Sequence, residues 1–418
     1  MDAGNRTLVL RLLKRTFKVL AGLLVFGVSG IGLLLGLLWF EHRVETNLPL
    51  PTGSFAVGRT TYIWIDDAQD DPLAPVPGIK RELIVWIWYP SLHQSSASRA
   101  EDYLPAPWRT AVAQYRGGLI SGLLDRDYAL VRTHSLRDAQ ISPRLPPYPI
   151  VIMRAGLAAL TTEYTALAED LASHGYVVVG FDARYRTQVV VLPDGRAVYR
   201  SAQNDPEISG GQQGERIAGK LVLAWASDVG FVLDRLQRLN GSTPAGRFAG
   251  RLDLSRVGVF GHSLGGATAA RFCHDDARCK AGIDIDGAPY GSVIRDGIKQ
   301  PFMFLMSDHG EASDPDSRRI EANIQSIYDK LPPTSRQHIM IRGANHYDFS
   351  DGAVVKSQIV LRTLHWLGII GVDGRRQLAI TAYCVHSFFD MYLKPAGAAQ
   401  FKIPSSRYPE IEPLPSRR

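Results

Sequence analysis

"RVGVFGHSLGGATAARF", residues 256–272, sets a stiff apolar run against a Gly-His-Ser-Leu-Gly-Gly turn and then a run rich in alanine. Read locally, this is a strand, a tight turn and a helix. The pentad at 261–265 fits the Gly-x-Ser-x-Gly nucleophile elbow, in which serine sits on a strained strand-to-helix turn with its hydroxyl exposed. Gly261 and Gly265 would let strand and helix approach closely. The helix start behind the serine favours developing negative charge. Ser263 is therefore the candidate nucleophile.

An elbow of this kind needs a sheet around it. Upstream, residues 55–66, 81–90, 148–154 and 176–182 read as strands rich in β-branched and aromatic residues; downstream, 280–286, 300–307 and 337–343 do so. Between and after them, 161–175, 216–239, 266–276, 317–331, 353–368 and 375–394 read as helices. Fully apolar strands alternating with helices predict an α/β architecture, a mostly parallel open sheet with helices on both faces. Ligands are then expected beyond the strand C-termini. Residues 100–147 read as irregular, and 187–216 show no clear element.

The elbow also needs partners. His346, in "IRGANHYDFSD", follows the last apolar strand, and the order Ser, acid, His is the one this architecture uses. It is the candidate general base; His262 sits beside the serine but points elsewhere on the turn. Two acids compete. Asp286 ends the strand "GIDID" and Asp308 ends "FMFLMSD", and position alone does not choose between them. Strand alternation puts Asp284 and Asp286 on the same side, one of them as a structural partner. The oxyanion hole calls for two backbone N–H groups: Leu264, after the nucleophile, and Leu157, in the "RAGLAAL" loop after strand 148–154.

The 418-residue chain is 45% hydrophobic and 21% charged, ample for a large core. Its net charge of +6 is concentrated at the N-terminus: residues 1–18 hold Arg6, Arg11, Lys14, Arg15 and Lys18 against Asp2. No basic stripe interleaved with aromatics follows, so nucleic acid is not an expected partner. Residues 19–40, "VLAGLLVFGVSGIGLLLGLLWF", carry no charge, and as a helix would span about 33 Å. The sequence after them lacks a small-x-small cleavage site, so an uncleaved anchor is expected, with a cleaved signal and secretion as the alternative. The preceding positive charges put the N-terminus in the cytoplasm and the body outside it, periplasmic or extracellular. The expected organisation is a basic tail (1–18), a transmembrane anchor (19–40), a linker (41–58) and one large domain (59–418). Cys273 and Cys279 flank "HDDAR" with no zinc spacing; in an oxidising compartment they are expected to form a local disulfide.

Several ordered segments together resemble the platelet-activating factor acetylhydrolase family of α/β-hydrolases, of the plasma and isoform II type and particularly its bacterial members. They are "VGRTTYIWIDDA", "RELIVWIWYPS", "AGLAALTTEYTALAEDLASHGYVVVGFDARYR", "GHSLGGATAARFC", "KAGIDIDGAPYG", "QPFMFLMSD", "GANHYDFSD" and "FFDMYLK". The resemblance covers most of 56–395. It implies the α/β-hydrolase fold and an acid from the strand directly after the elbow helix, which is Asp286, leaving Asp308 secondary. It implies a serine esterase of short acyl esters, such as a 2-acetyl phospholipid, without metal or cofactor; a general carboxylesterase or polyester hydrolase is the alternative. A non-catalytic binding protein on the same fold is the third expectation. One departure stands out: the family usually has His before the oxyanion-loop glycine, and this chain has Ala155 before Gly156. Residues 187–216 would cap the acyl pocket.

Overall fold

A computed structural model describes residues 3–92, 99–117, 122–144, 147–241, 246–310, 314–395 and 406–414. The strands are β1 (Thr46–Asn47), β2 (Ala56–Asp70), β3 (Lys80–Ser91), β4 (Ala100–Asp102), β5 (Val131–Arg137), β6 (Tyr148–Arg154) and β7 (Val177–Ala183). They continue with β8 (Val189–Val191), β9 (Ala197–Tyr199), β10 (Leu252–His262), β11 (Cys279–Ile285), β12 (Phe302–Met306), β13 (Arg336–Ile341) and β14 (Ile411–Pro413). Twelve of these form one sheet in the order β1-β5-β2-β3-β7-β6-β10-β11-β12-β13-β14, with β4 on β5. From β7 to β13 every pairing is parallel; β3 is antiparallel to both β2 and β7. β8 and β9 form a separate hairpin.

The apolar strands are buried on both faces, as a sheet covered by crossover helices requires. Along β3, Ile84, Trp86 and Trp88 enter one core while Leu83, Val85, Ile87 and Tyr89 enter the other. β6 divides likewise, Val151 and Met153 against Ile150 and Ile152. Helices Thr165–Ser173 and Gly374–Leu393 close the first face through Leu167, Leu171, Leu378 and Phe388. Helices Gly211–Asn240, Leu264–Asp275 and Pro315–Lys330 close the second through Val232, Leu236, Phe272 and Ile327. The long helix overruns the sheet. Its N-terminal half packs Leu221 and Trp225 against Leu264 and Ala267, at the elbow.

The α/β architecture is as expected, with differences in the polar stretches. Residues 100–147 hold helix Ala106–Arg116 and strand β5. β5 alternates buried and partly exposed residues, so it carries no continuous apolar run. Residues 187–216 hold the β8–β9 hairpin, a helical turn Pro206–Ser209 and the start of the long helix at Gly211. The expected helix 353–368 is two pieces, Gly352–Val355 and Gln358–Trp366, because the Ser357 side chain N-caps the second by accepting from Val360 N–H.

At the N-terminus, helix Ala3–His42 contains one stretch long and apolar enough to cross a membrane, Leu10–His42, of mean hydropathy 2.3 and almost entirely unburied. The segment after it is tied to the domain. Glu41 pairs with Arg126 and accepts from Gln358 N–H and the Ser357 hydroxyl; Thr46 and Asn47 pair with β5.

Candidate active site

The elbow is built by close backbone approach. Ser263 has φ 57° and ψ −124°, in the left-handed half of conformational space, between β10 and helix Leu264–Asp275. Such a position costs about 1–3 kcal/mol and persists only where its surroundings fix it. Here Ser263 N–H donates to Ile285 C=O at 2.8 Å, and Ser263 C=O accepts from Gly266 and Ala267 N–H. A Cβ on Gly261 would lie 2.2 Å from the Gly265 backbone, and one on Gly265 would lie 2.4 Å from Arg154 C=O. The glycines are thus dictated by contact.

Asp286 stands just past β11, itself at φ 53°. Its Oδ2 accepts from His346 Nδ1 at 2.7 Å and from the Ser307 hydroxyl at 2.7 Å. Its Oδ1 accepts from Ser307 N–H and His309 Nε2, each at 2.9 Å. Burial pushes this carboxyl up, but the hydrogen bonds from the two histidines outweigh it and hold the group well below the usual carboxylate range. With Nδ1–H committed to Asp286, Nε2 is the nitrogen left to take a proton.

His346 opens a single turn, His346–Phe349, after β13. Asn345 caps that turn by accepting from Tyr347 and Asp348 N–H, and Gln377 clamps Asn345 through both its N–H (3.0 Å) and its C=O (2.7 Å). His262 packs behind His346, ring centroids 4.5 Å apart and planes tilted by 42°, with Nδ1 at 2.8 Å from the Tyr164 hydroxyl. Burial, reinforced by His346, lowers His262 to about 3, so it stays neutral.

Ser263, His346, Leu157 and Leu264 line one cavity of about 630 Å³. Leu264 is the first helical residue, so its N–H has no acceptor four residues back. A Cβ on Gly156 would lie 3.4 Å from Ser263 Cβ, which sets the Leu157 loop against the serine. Gly156 N–H donates to Tyr164.

Asp308 is placed differently. It is exposed, and its carboxylate accepts from Gly343 N–H at 2.8 Å and Gly310 N–H at 3.3 Å, fastening the turn after β13. Asp284 lies beneath the elbow, accepting from Gly287 N–H, and burial raises it well above the usual range. Cys273 and Cys279 form a disulfide. Sequence reasoning missed His309, Ser307, Asn345, Gln377 and Tyr164. Of these only Asn345 had a local signal, as an Asx cap before "HYD".

Among the described residues, one group could hold a metal ion: Asp170, His174 and His386, on the helices Thr165–Ser173 and Gly374–Leu393 and the turn after the former. Asp170 and one nitrogen of each histidine are already engaged, in part by Thr52. Asp170 accepts from His386 Nδ1 and from Thr52 through both its N–H and its hydroxyl, and that hydroxyl meets His174 Nε2 at 2.9 Å. The group fastens residue 52 to two helices.

A strand–elbow–helix with serine, histidine and aspartate gathered at the C-terminal end of a mostly parallel sheet defines an α/β-hydrolase. The chain belongs to the platelet-activating factor acetylhydrolase, isoform II, family, whose model matches residues 41–193 and 225–394. It is 28% identical to the guinea-pig (Cavia porcellus) platelet-activating factor acetylhydrolase over 239 residues, 53% of each chain. It is 25% identical to a probable 1-alkyl-2-acetylglycerophosphocholine esterase of Arthroderma benhamiae over 384 residues, covering 87% of this chain and 92% of that one. The match thus spans about half the length of the animal relatives and nearly all of the fungal one. Among solved structures, a ferulic acid esterase from Streptomyces cinnamoneus superposes with a TM-score of 0.70 at 28% identity, covering 89% of this chain and all of that one.

Proposed function

We propose that the protein is a serine ester hydrolase acting on short acyl esters, with Ser263 as nucleophile, His346 as general base and Asp286 as the acid that orients it. The observation that carries this is the 2.7 Å bond between His346 and Asp286 beside a strained serine in one cavity. Ser263 Oγ attacks the ester carbonyl as His346 Nε2 takes its proton. The Leu264 and Leu157 N–H groups hold the oxyanion, each supplying on the order of 3 kcal/mol. Collapse breaks the bond to the alcohol, which leaves with the proton from Nε2. Water, deprotonated by the same nitrogen, then frees the acid and restores Ser263. Every proton is carried by His346, so the chemistry asks for no metal or cofactor.

The substrate class we favour is a 2-acetyl phospholipid, because the family and the relatives' names point there. The likeness to a ferulic acid esterase supports a second reading, a general carboxylesterase or polyester hydrolase. Residues 187–216 act as a cap: Pro206, Glu207, Gly210 and Gly211 border the cavity. Residues 19–40 anchor the protein, with the basic tail cytoplasmic and the catalytic domain outside, where the disulfide is stable.

Hydrolysis of p-nitrophenyl acetate and octanoate by the full chain in detergent, against Ser263→Ala, tests the enzyme. No turnover above that control refutes both ester readings. A preference for acetyl, together with acetate release from a 2-acetyl phospholipid, selects the first.

A further inference from the structure

The catalytic carboxylate has a second histidine that the acyl-transfer steps do not use. His309 Nε2 lies 2.9 Å from Asp286 Oδ1 and 2.9 Å from the Ser307 hydroxyl. Ser307 Oγ gives its one proton to Asp286 Oδ2, so it accepts from His309, and Nε2–H is shared between the two oxygens. The Asp286 side chain is fully buried, while His309 is 61% exposed. Asp286 therefore bridges a solvent-reached imidazole on one oxygen and the candidate general base on the other.

Resting on the esterase reading above, we infer that His309 is a positioning residue that sets the pH range in which His346 works, acting through their shared carboxylate. His309 and His346 compete for one negative charge. When His309 is a cation, it offsets the field that Asp286 exerts on His346 and eases loss of the His346 proton. When His309 is absent, Asp286 acts on His346 alone, and His346 keeps its proton to higher pH.

The surroundings favour the cation. Its hydrogen bond to Asp286 raises His309, and Asp308 on its own segment and Glu321 on helix Pro315–Lys330 add to this against partial burial. His346 faces Asp286, the neutral His262 and the Tyr347 ring, with Lys356 beyond that ring. Among these groups His309 is the one in hydrogen-bond contact with the same carboxylate. Neither His309 nor Ser307 belongs to the Gly-x-Ser-x-Gly pattern; the pairing of β11 with β12, carried on by Asp286 N–H donating to Leu305 C=O at 2.9 Å, brings their segment beside Asp286.

The test is the pH dependence of kcat/KM for p-nitrophenyl acetate in the full chain and in His309→Gln, which keeps an N–H donor and removes the charge. We expect the acid limb to move up by about 0.5–1 pH unit, the size of a partly screened unit charge acting through one shared group, with KM little changed. His309→Lys, which keeps a cation, should leave the limb near its original place. A limb that stays put in His309→Gln, or moves down, overturns the inference. Histidine-selective NMR of Ser263→Ala with and without His309→Gln reads the same coupling without turnover: His346 should titrate at higher pH in the double variant. A resonance that is unmoved or titrates at lower pH overturns the inference even if ester hydrolysis is intact, and one that titrates at higher pH upholds it even if no ester is cleaved.

Discussion

Asp286 Oδ2 and His346 Nδ1 lie 2.7 Å apart, while the Asp308 carboxylate is engaged 2.8 Å from Gly343 N–H. The two acids end neighbouring strands, and only one holds the histidine. Asp286→Asn should lower kcat by about 10³–10⁴-fold, because an amide favours the wrong imidazole tautomer. Asp308→Asn should stay within about threefold and instead loosen the turn at Gly343. Steady-state kinetics of both variants check this; the reverse ranking would move the acid to Asp308.

The elbow glycines make a stability prediction. Gly261→Ala and Gly265→Ala each force a methyl into backbone atoms less than 2.5 Å away, which no side-chain rearrangement relieves. Each should cost at least about 3 kcal/mol and lower soluble yield. Gly219→Ala, where a Cβ meets nothing within 4 Å, should be neutral or slightly stabilising. Thermal melts of the three variants are the comparison.

One buried histidine and two half-buried ones predict acid lability. Burial lowers His262 to about 3, and His174 and His338 to about 4. A depressed folded-state value means that the unfolded chain binds the proton first. The stability these groups contribute is complete above the unfolded value near 6.5 and is lost as pH falls toward 3–4. His338→Gln should therefore flatten the fall in unfolding free energy across pH 6 to 4.5 by up to about 1.4 kcal/mol per pH unit. Chemical denaturation across that range measures it; an unchanged slope would show that His338 protonates freely in the folded state.

The topology proposed above, with the N-terminus cytoplasmic, makes a prediction. A reporter enzyme active only outside the cytoplasm, fused to the C-terminus, should be active in cells. Thiol labelling without reductant should spare Cys273 and Cys279, joined to each other, and the buried Cys384 until the protein unfolds. A silent fusion, with activity instead from a reporter that works only in the cytoplasm, would reverse the orientation.

What could be read from the chain was what is local. Strand, turn and helix at 256–272 are contiguous, so the elbow was legible, as were the fully apolar strands whose burial on both faces suppresses alternation. Position alone left the acid open, since Asp286 and Asp308 both follow apolar strands; the family resemblance pointed to Asp286, and the left-handed turn there, with the pairing of β10, β11 and β12, sets that carboxylate against His346. β5 escaped because its alternating polar residues leave no apolar run. His309 escaped because an exposed histidine two residues beyond Ser307 acquires meaning only from the strand next door.

Peptide mass mapping of the full-length protein after reaction with a fluorophosphonate tests the proposal that Ser263 is the acyl-accepting nucleophile. One adduct is expected, on Ser263, appearing in step with loss of p-nitrophenyl acetate hydrolysis and absent in His346→Gln. An adduct on another residue, or complete inactivation with Ser263 unmodified, would contradict it.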